Sequence, residues 1–359
     1  MKYTIMLVAV AVAAVFAGNG YIQSASVDAQ AGVTTPAADD SGKAGPVTVK
    51  KDGTGNYTTI TAALTAGKTD IIVYPGWYAE SLTITGTNVK LRSYEGPYLT
   101  TIAGECSQTV VTFTATARDC VLSGFYITGG YQGVAIENGS KVKVTNCVIG
   151  HNCNHGLAIG YVDNDSPITT ADIYNNCFVE NVDAGILITS SNNDWSFVGC
   201  YTIENNIFVG NQRYAIRAER TDGWKGIYTR SGKYLVIDYN DYVSNTPAKY
   251  GPGEHPVTGG SHDDLAEDPL FISAPTNLGI DVRLQTAPDV SPCRGAGDPG
   301  VAFMNPDGTR NDMGVYGGPD CATFYESPTD GPIVRNVTVE PGPVTQGDPF
   351  TVQATVAVR

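Results

Sequence analysis

A repeat running from Leu122 to Asn245 constrains this chain more than any single residue in it. Four stretches align: VTNCVI at 144–149, IYNNCF at 173–178, IENNIF at 203–208 and IDYNDY at 237–242. A fifth, LSGFYI at 122–127, precedes them in degenerate form. Three residues after the second apolar anchor stands Asn152, Asn181, Asn211 or Asn245. A small residue then opens another apolar pair, as in GLAI at 156–159, GILI at 185–188 and AIRA at 215–218. The same register returns after 22, 29, 30 and 34 residues. Self-similarity at such a period marks stacked supersecondary units rather than one closed globule.

Within each unit, apolar residues alternate over short runs of β-branched and aromatic type, with Gly and Asn between them. That pattern predicts short strands joined by tight turns. The units lack the regularly placed leucines of leucine-rich repeats, and their Gly and Asn density excludes helical repeats. A parallel β-solenoid fits, each coil pairing its strands with the same strands above and below. Leu122, Val144, Ile173, Ile203 and Ile237 are predicted to stack as one inward ladder. Ile127, Ile149, Phe178, Phe208 and Tyr242 form another. Asn suits the turns because it tolerates left-handed backbone angles, and its amide can bond the equivalent Asn one coil on.

The pattern I-x-N-N-x-[IF]-x-x-N-x-x-x-G-[IL]-x-[IL] resembles the coil repeat of right-handed parallel β-helix proteins, the pectin-lyase-like superfamily. Residues 47–64 and 70–84 are similar to that family's opening, which implies a short capping helix and a first coil. DPLF at 268–271, SPCRGAG at 291–297 and DGTRNDMGVYGGP at 307–319 resemble the closing segment of secreted bacterial members. The resemblance covers residues 46–320. It implies a single-stranded, right-handed, all-β solenoid and transfers no activity, because one solenoid hosts lyases, hydrolases, esterases, epimerases and non-enzymes. The paired Asp-Asp, Gly-His-Gly and Arg-x-Lys of polygalacturonase-like hydrolases are missing. So are the Arg-Pro-Trp of pectin methylesterases, the Asp-Pro-His-Asp of alginate epimerases, G-x-S-x-G and H-E-x-x-H.

The ends carry their own signals. Met1-Lys2, an apolar run from Ile5 to Phe16 and small residues before Ala17 read as a secretory signal peptide over 1–17. The run is shorter than the ~20 residues a membrane span needs. Residues 18–45, rich in Ala, Gly, Ser, Thr and Asp, read as a flexible linker. A Pro-rich linker at 321–332 leads into 333–359, which alternates like two antiparallel strands. That segment resembles the start of an immunoglobulin-like or fibronectin-type module, a partial β-sandwich that we read as cut short, since two strands alone are marginally stable.

A net charge of −14 argues against nucleic-acid and anionic-membrane partners. Eight cysteines in an exported chain permit disulfides. Cys293 with Cys321 is the preferred pair and Cys106 with Cys120 the second, with the connectivity left open.

Unequal coil lengths point to a site. The extra residues fall at one corner, after the Gly-Ile-x-Ile strand, at 161–170, 190–201 and 220–233. Insertions repeated on one face are commonly the binding face of a solenoid. Tyr161, Trp195, Trp224 and Tyr228 are candidate platforms for sugar rings, and Lys225 and Arg230 candidate partners for sugar carboxylates. Asp163, Asp194, Asp222, Arg217 and Arg220 are the catalytic candidates. Asp163 and Asp165 are candidate ligands for calcium, the one cofactor whose oxygen preference they match. His151 and His155 read as turn residues, solvated more readily than metal-bound. Glu254, His255, His262, Asp263 and Asp264 lie in a Gly/Pro-rich excursion. Asp307, Asn311 and Asp312 could bind calcium but suit capping of the last coil better, and Glu80 suits a structural role.

The expected function is a secreted monomer that binds or processes polysaccharide or a cell-surface glycan, as a calcium-assisted lyase or glycoside hydrolase if it is an enzyme. The alternative is a non-enzymatic surface protein using the solenoid as a display rod.

Overall fold

The computed structural model describes residues 45–160, 169–190, 199–220, 235–245, 248–250, 265–272, 281–321, 333–340 and 351–357. The chain divides into Met1–Gly45 and Pro46–Arg359, and the architecture below belongs to the second unit.

Among the described residues, seven coils each give one strand to each of three parallel sheets. Sheet I holds Val47–Val49, Asp70–Val73, Lys90–Ser93, Arg118–Ser123, Lys141–Thr145, Thr169–Tyr174, Gly199–Glu204 and Leu235–Asp238. Sheet II holds Gly76–Ala79, Thr100–Ala103, Tyr126–Thr128, Val148–Gly150, Cys177–Val179, Ile207–Val209 and Asp241–Val243. Sheet III holds Leu82–Ile84, Val111–Phe113, Gln132–Ile136, His155–Ile159, Ala184–Ser190, Tyr214–Arg220 and Ala248–Tyr250. Coils are numbered from the one that begins at Asp70. This is the right-handed parallel β-helix expected from the repeat. Helix α1 (Ile60–Thr65) precedes the first coil. Glu80 has the structural role expected of it: its carboxylate accepts from the N–H groups of Ile60 and Thr61 at the start of that helix, at 3.1 and 2.8 Å.

The ladders form in the predicted register. Val144 stands opposite Leu122 and Ile173, and Ile203 opposite Ile173 and Ile237. In sheet II, Phe178 stacks on Phe208 with ring centroids 4.8 Å apart, and Phe208 on Tyr242 at 5.2 Å. Parallel stacking of like side chains follows from pairing each coil with a near copy of itself.

Two ladders of buried asparagine run beside the apolar ones. At the corner between sheets II and III, the amide of Asn152 donates to Asn181, Asn181 to Asn211 and Asn211 to Asn245, at 3.0, 2.9 and 2.8 Å. At the corner between sheets I and II, Asn176 donates to Asn206 and Asn206 to Asn240, each at 3.0 Å. The glycine after the Asn152 ladder leaves room for it. A Cβ on Gly156 would stand 2.7 Å from the carbonyl oxygen of Gly185 and 2.8 Å from the Asn181 amide nitrogen.

The residue before Asn176 or Asn206 has a different task. Asn146, Asn175 and Asn205 adopt φ of 54°, 52° and 60° and face the closing segment instead of the interior. Asn146 donates to the carbonyls of Val315 and Gly317 at 2.7 and 2.8 Å. Asn175 donates to Asp312 O at 2.8 Å and Asn311 Oδ1 at 3.0 Å. Asn205 Oδ1 accepts from the Asp298 N–H at 2.7 Å. The segment therefore runs back along the solenoid. Its Met313, Val315, Cys293 and Cys321 cover Val148, Cys177 and Ile207 on the outside of sheet II. Asn311 and Asp312 belong to this strap, which corrects their expected place over the last coil.

The cysteine expectations are also corrected. Cys106 is disulfide-bonded to Cys153, and both preferred pairs are absent. Cys120 is instead an inward core residue of sheet I. Cys293 donates to Asp241 Oδ2 at 3.3 Å, whereas Cys321 turns to the carbonyl of Gly318 at 2.8 Å. Ile333–Glu340 and Thr351–Ala357 pair antiparallel, as their alternation predicts. Among the described residues no helix is long and apolar enough to cross a membrane.

Candidate functional site

All three long insertions leave a strand of sheet III and return to sheet I, one after each of coils 4, 5 and 6. Of the residues proposed from sequence, Tyr161, Asp163, Asp165, Asp194, Trp195, Asp222, Trp224, Lys225, Tyr228 and Arg230 lie outside the described residues. So do Glu254, His255, His262, Asp263 and Asp264. Arg220 ends a sheet III strand, opposite Ser190. Arg217 is the candidate whose surroundings are described, and it leads to a site on the outer face of sheet III.

The strand pattern fixes that face. In His155–Ile159, Leu157 and Ile159 point into the core, so Ala158 points outward, while His155 opens the strand at the corner and is buried there. Ala158, Leu187 and Arg217 stand in one register column over coils 4 to 6, and Ala184 pairs with Tyr214. Asp183 joins from the corner, two residues past the ladder Asn181. Its N–H donates to Asn154 O at 2.8 Å, and its carbonyl accepts from Arg213 at 2.9 Å. The three coils therefore place Asn154, Asp183 and Arg213 at one position.

Asp183 is the hub. Arg217 donates to Asp183 Oδ2. His155 Nδ1 is 3.7 Å from the same oxygen, and Arg213 Nε lies 3.9 Å from Oδ1. The guanidinium of Arg217 sits 5.8 Å from the Tyr214 ring centroid, within range of a cation–π contact. Burial pushes the His155 pKa down to about 4; the Asp183 charge opposes that shift and the Arg217 charge adds to it. His155 is therefore neutral near pH 7, buried rather than solvated as its sequence context had suggested. Two arginines then face one carboxylate, leaving a local positive excess on an acidic protein. His155 Nδ1 and Asp183 Oδ1 are buried with no hydrogen-bond partner, so the cluster holds polar atoms whose needs the fold leaves unmet.

A second group lies along the corner beside it. The Tyr126 hydroxyl is 2.9 Å from His151 Nδ1. His151 Nε2 is 3.2 Å from Glu180 Oε2, off the line of a hydrogen bond, and counts as buried and unbonded. Burial raises the Tyr126 pKa, and the Glu180 charge adds to the rise.

Sequence reasoning found Arg217, gave His155 the wrong surroundings and missed Asp183. The signal for Asp183 was positional: a carboxylate at the offset where neighbouring coils carry Asn154 and Arg213, with Arg217 one strand further on. Among the described residues no three His, Cys, Asp or Glu side chains stand close enough to share a metal ion. His151 and His155 face different partners, Tyr126 and Glu180 for one and Asp183 for the other.

Residues 81–249 match the family described as periplasmic copper-binding protein (NosD). The described residues do not fit a copper centre, since no such cluster occurs among them. No curated protein matches the chain. Among solved structures, pectate lyase Pel9A is similar at 12% identity, over 75% of this chain and 94% of that one, with a TM-score of 0.35. Pectin methylesterase PemA from Erwinia chrysanthemi is similar at 12% identity, over 58% and 80%, with a TM-score of 0.31. Pectin methylesterase from carrot stands at 15%, over 60% and 79%, with a TM-score of 0.28. The fold assignment rests on strand register rather than on these likenesses.

Proposed function

We propose that this protein is exported and binds or processes polysaccharide along the outer face of sheet III. The observation that carries the reading is the Asp183 cluster, in which Arg213, Arg217 and neutral His155 gather round one carboxylate. It spans coils 4 to 6, the coils that carry the long insertions. Two supports are independent of it. The described residues of the closing segment pack on the outside of sheet II, a different face of the solenoid. The amino terminus carries the features of a secretory signal.

Sugars are recognised by polar groups that give and take hydrogen bonds and by flat apolar surfaces. The half-buried Tyr214 ring and the exposed guanidinium of Arg213 supply both kinds of contact at the surface of the cluster. The test is a polysaccharide array probed with the full chain and scored for bound protein and for released product. Binding that falls in Arg217→Ala supports the reading, and released oligosaccharide adds catalysis to it. Retained binding without product is the behaviour of a display rod or lectin. A well-folded protein that binds nothing on the array overturns the proposal.

A further inference from the structure

The corner between sheets II and III places a left-handed residue in each of coils 4 to 7: His151, Glu180, Gly210 and Ser244, with φ of 55°, 48°, 65° and 53°. Large side chains are uncommon there, yet coils 4 and 5 carry His and Glu side by side. Coil 6 then carries glycine, and the missing side chain opens a cleft of about 340 Å³ between His151, Glu180, Val182, Gly210 and Gln212. A Cβ on Gly210 would stand 3.2 Å from Glu180 Cγ. A side chain at that position would press on Glu180.

Its chemistry differs from that of the neighbouring cluster. Glu180, 46% exposed, repels a second carboxylate. Its oxygens accept hydrogen bonds from hydroxyls, and the Gln212 amide both gives and accepts them. Val182, 45% exposed, supplies an apolar patch for the C–H face of a ring. One residue further along the same turns stand Asp183 and Arg213. Arg213, 65% exposed, and Arg217 suit an anion, since guanidinium groups bind carboxylates with paired, charge-assisted hydrogen bonds.

We infer that the sheet III face takes an acidic heteropolysaccharide, with a sugar carboxylate held at Arg213 and Arg217 and a neutral sugar in the adjoining cleft of His151, Glu180, Val182 and Gln212. The inference rests on the polysaccharide reading above and narrows it: neither a polyuronate nor a neutral polymer fills both subsites.

The test measures the affinity of the full chain for four polymers: hyaluronan and gellan, which combine uronate with neutral sugars, polygalacturonate, and an unbranched neutral galactan. At least one of the mixed polymers should bind about tenfold more tightly than either homopolymer, the effect of one well-made interaction. Arg213→Ala should remove about that factor and flatten the salt dependence, since it deletes a charge contact. Glu180→Ala should weaken mixed-polymer binding while relieving its repulsion of polygalacturonate, so the preference for mixed polymers narrows. Both side chains are exposed, and far-UV circular dichroism checks that the variants fold. Homopolymers binding as tightly as mixed ones, or Glu180→Ala without effect, overturns the two-subsite inference and leaves polysaccharide binding standing. Silence from all four polymers counts against polysaccharide binding itself.

Discussion

Asp183 and Glu204 are both buried carboxylates on the outside of the solenoid, and their surroundings are opposite. Asp183 on sheet III has Arg217, Arg213 and His155 around it. Glu204 ends a strand of sheet I where the closing segment passes over it. It is 8% exposed, and the charges acting on it are those of Asp298, Asp238 and Asp172. Burial first, then those three carboxylates, push its pKa up to about 7. The contrast separates two uses of a buried acid. At the first site a carboxylate gathers two arginines and a histidine around itself. At the second, a carboxylate sits under a strap and holds its proton up to about pH 7.

The largest way to break that contrast is to remove each carboxylate in turn. Asp183→Ala removes the carboxylate to which Arg217, 23% exposed, donates, and losing one partner of such a pair costs about 3 kcal/mol. Chemical denaturation at pH 7 should show that loss. An unchanged midpoint would mean the arginines hold their places without the acid, and the cluster would lose its hub.

Glu204→Gln should act with the other sign. A carboxyl whose pKa is raised on folding contributes stability that is present below its unfolded pKa and is lost as pH rises through the folded value. For Glu204 that window runs from its ordinary 4.5 to about 7. At pH 8 the variant should therefore be more stable than the parent by about 2 kcal/mol, with the difference vanishing by pH 4. A destabilised variant at pH 8 would show that the ionised carboxylate is wanted there, and the comparison would collapse.

His155 gives the acid-side counterpart. Its pKa is lowered on folding from 6.5 to about 4, so its contribution is present above 6.5 and lost as pH falls through 4. His155→Gln should flatten the fall in stability between those values, by about 1–2 kcal/mol at pH 4 after allowing for the loss of imidazole packing. Thermal melts across that range, set beside those of Glu204→Gln, measure the two faces independently.

What the sequence disclosed follows from how far its signals reach. The ladders of Ile173, Phe178 and Asn181 were legible because each coil is compared with a near copy of itself at almost constant spacing. The strap was not. Asn175 looks like its neighbour Asn176, and its partner Asn311 lies 136 residues away in a segment with no repeat. The Cys106–Cys153 bond joins residues 47 apart, between coils whose lengths differ, so register arithmetic did not find it. Asp183 was hidden for a related reason. Asn154, Asp183 and Arg213 share a position but not a chemistry, and only stacking turns three unlike residues into one cluster.

The strap offers the smallest and sharpest test, because its asparagines serve two purposes that substitution can separate. Asn175 adopts φ of 52° and its amide holds the closing segment through Asp312 O and Asn311. Asn175→Gly keeps the left-handed backbone accessible and deletes only the amide; Asn175→Ala loses both. If the position exists chiefly to anchor the strap, both variants weaken it alike, and exchange of the Met313 and Gly314 amides accelerates in each. If backbone conformation contributes as well, Ala should be less stable than Gly by about 1 kcal/mol. We expect that difference, because the same corner is left-handed in Asn146, Asn205 and Tyr239 too. A corner shared by successive coils is set by the turn of the helix, and asparagine is the side chain that meets the turn and the strap at once.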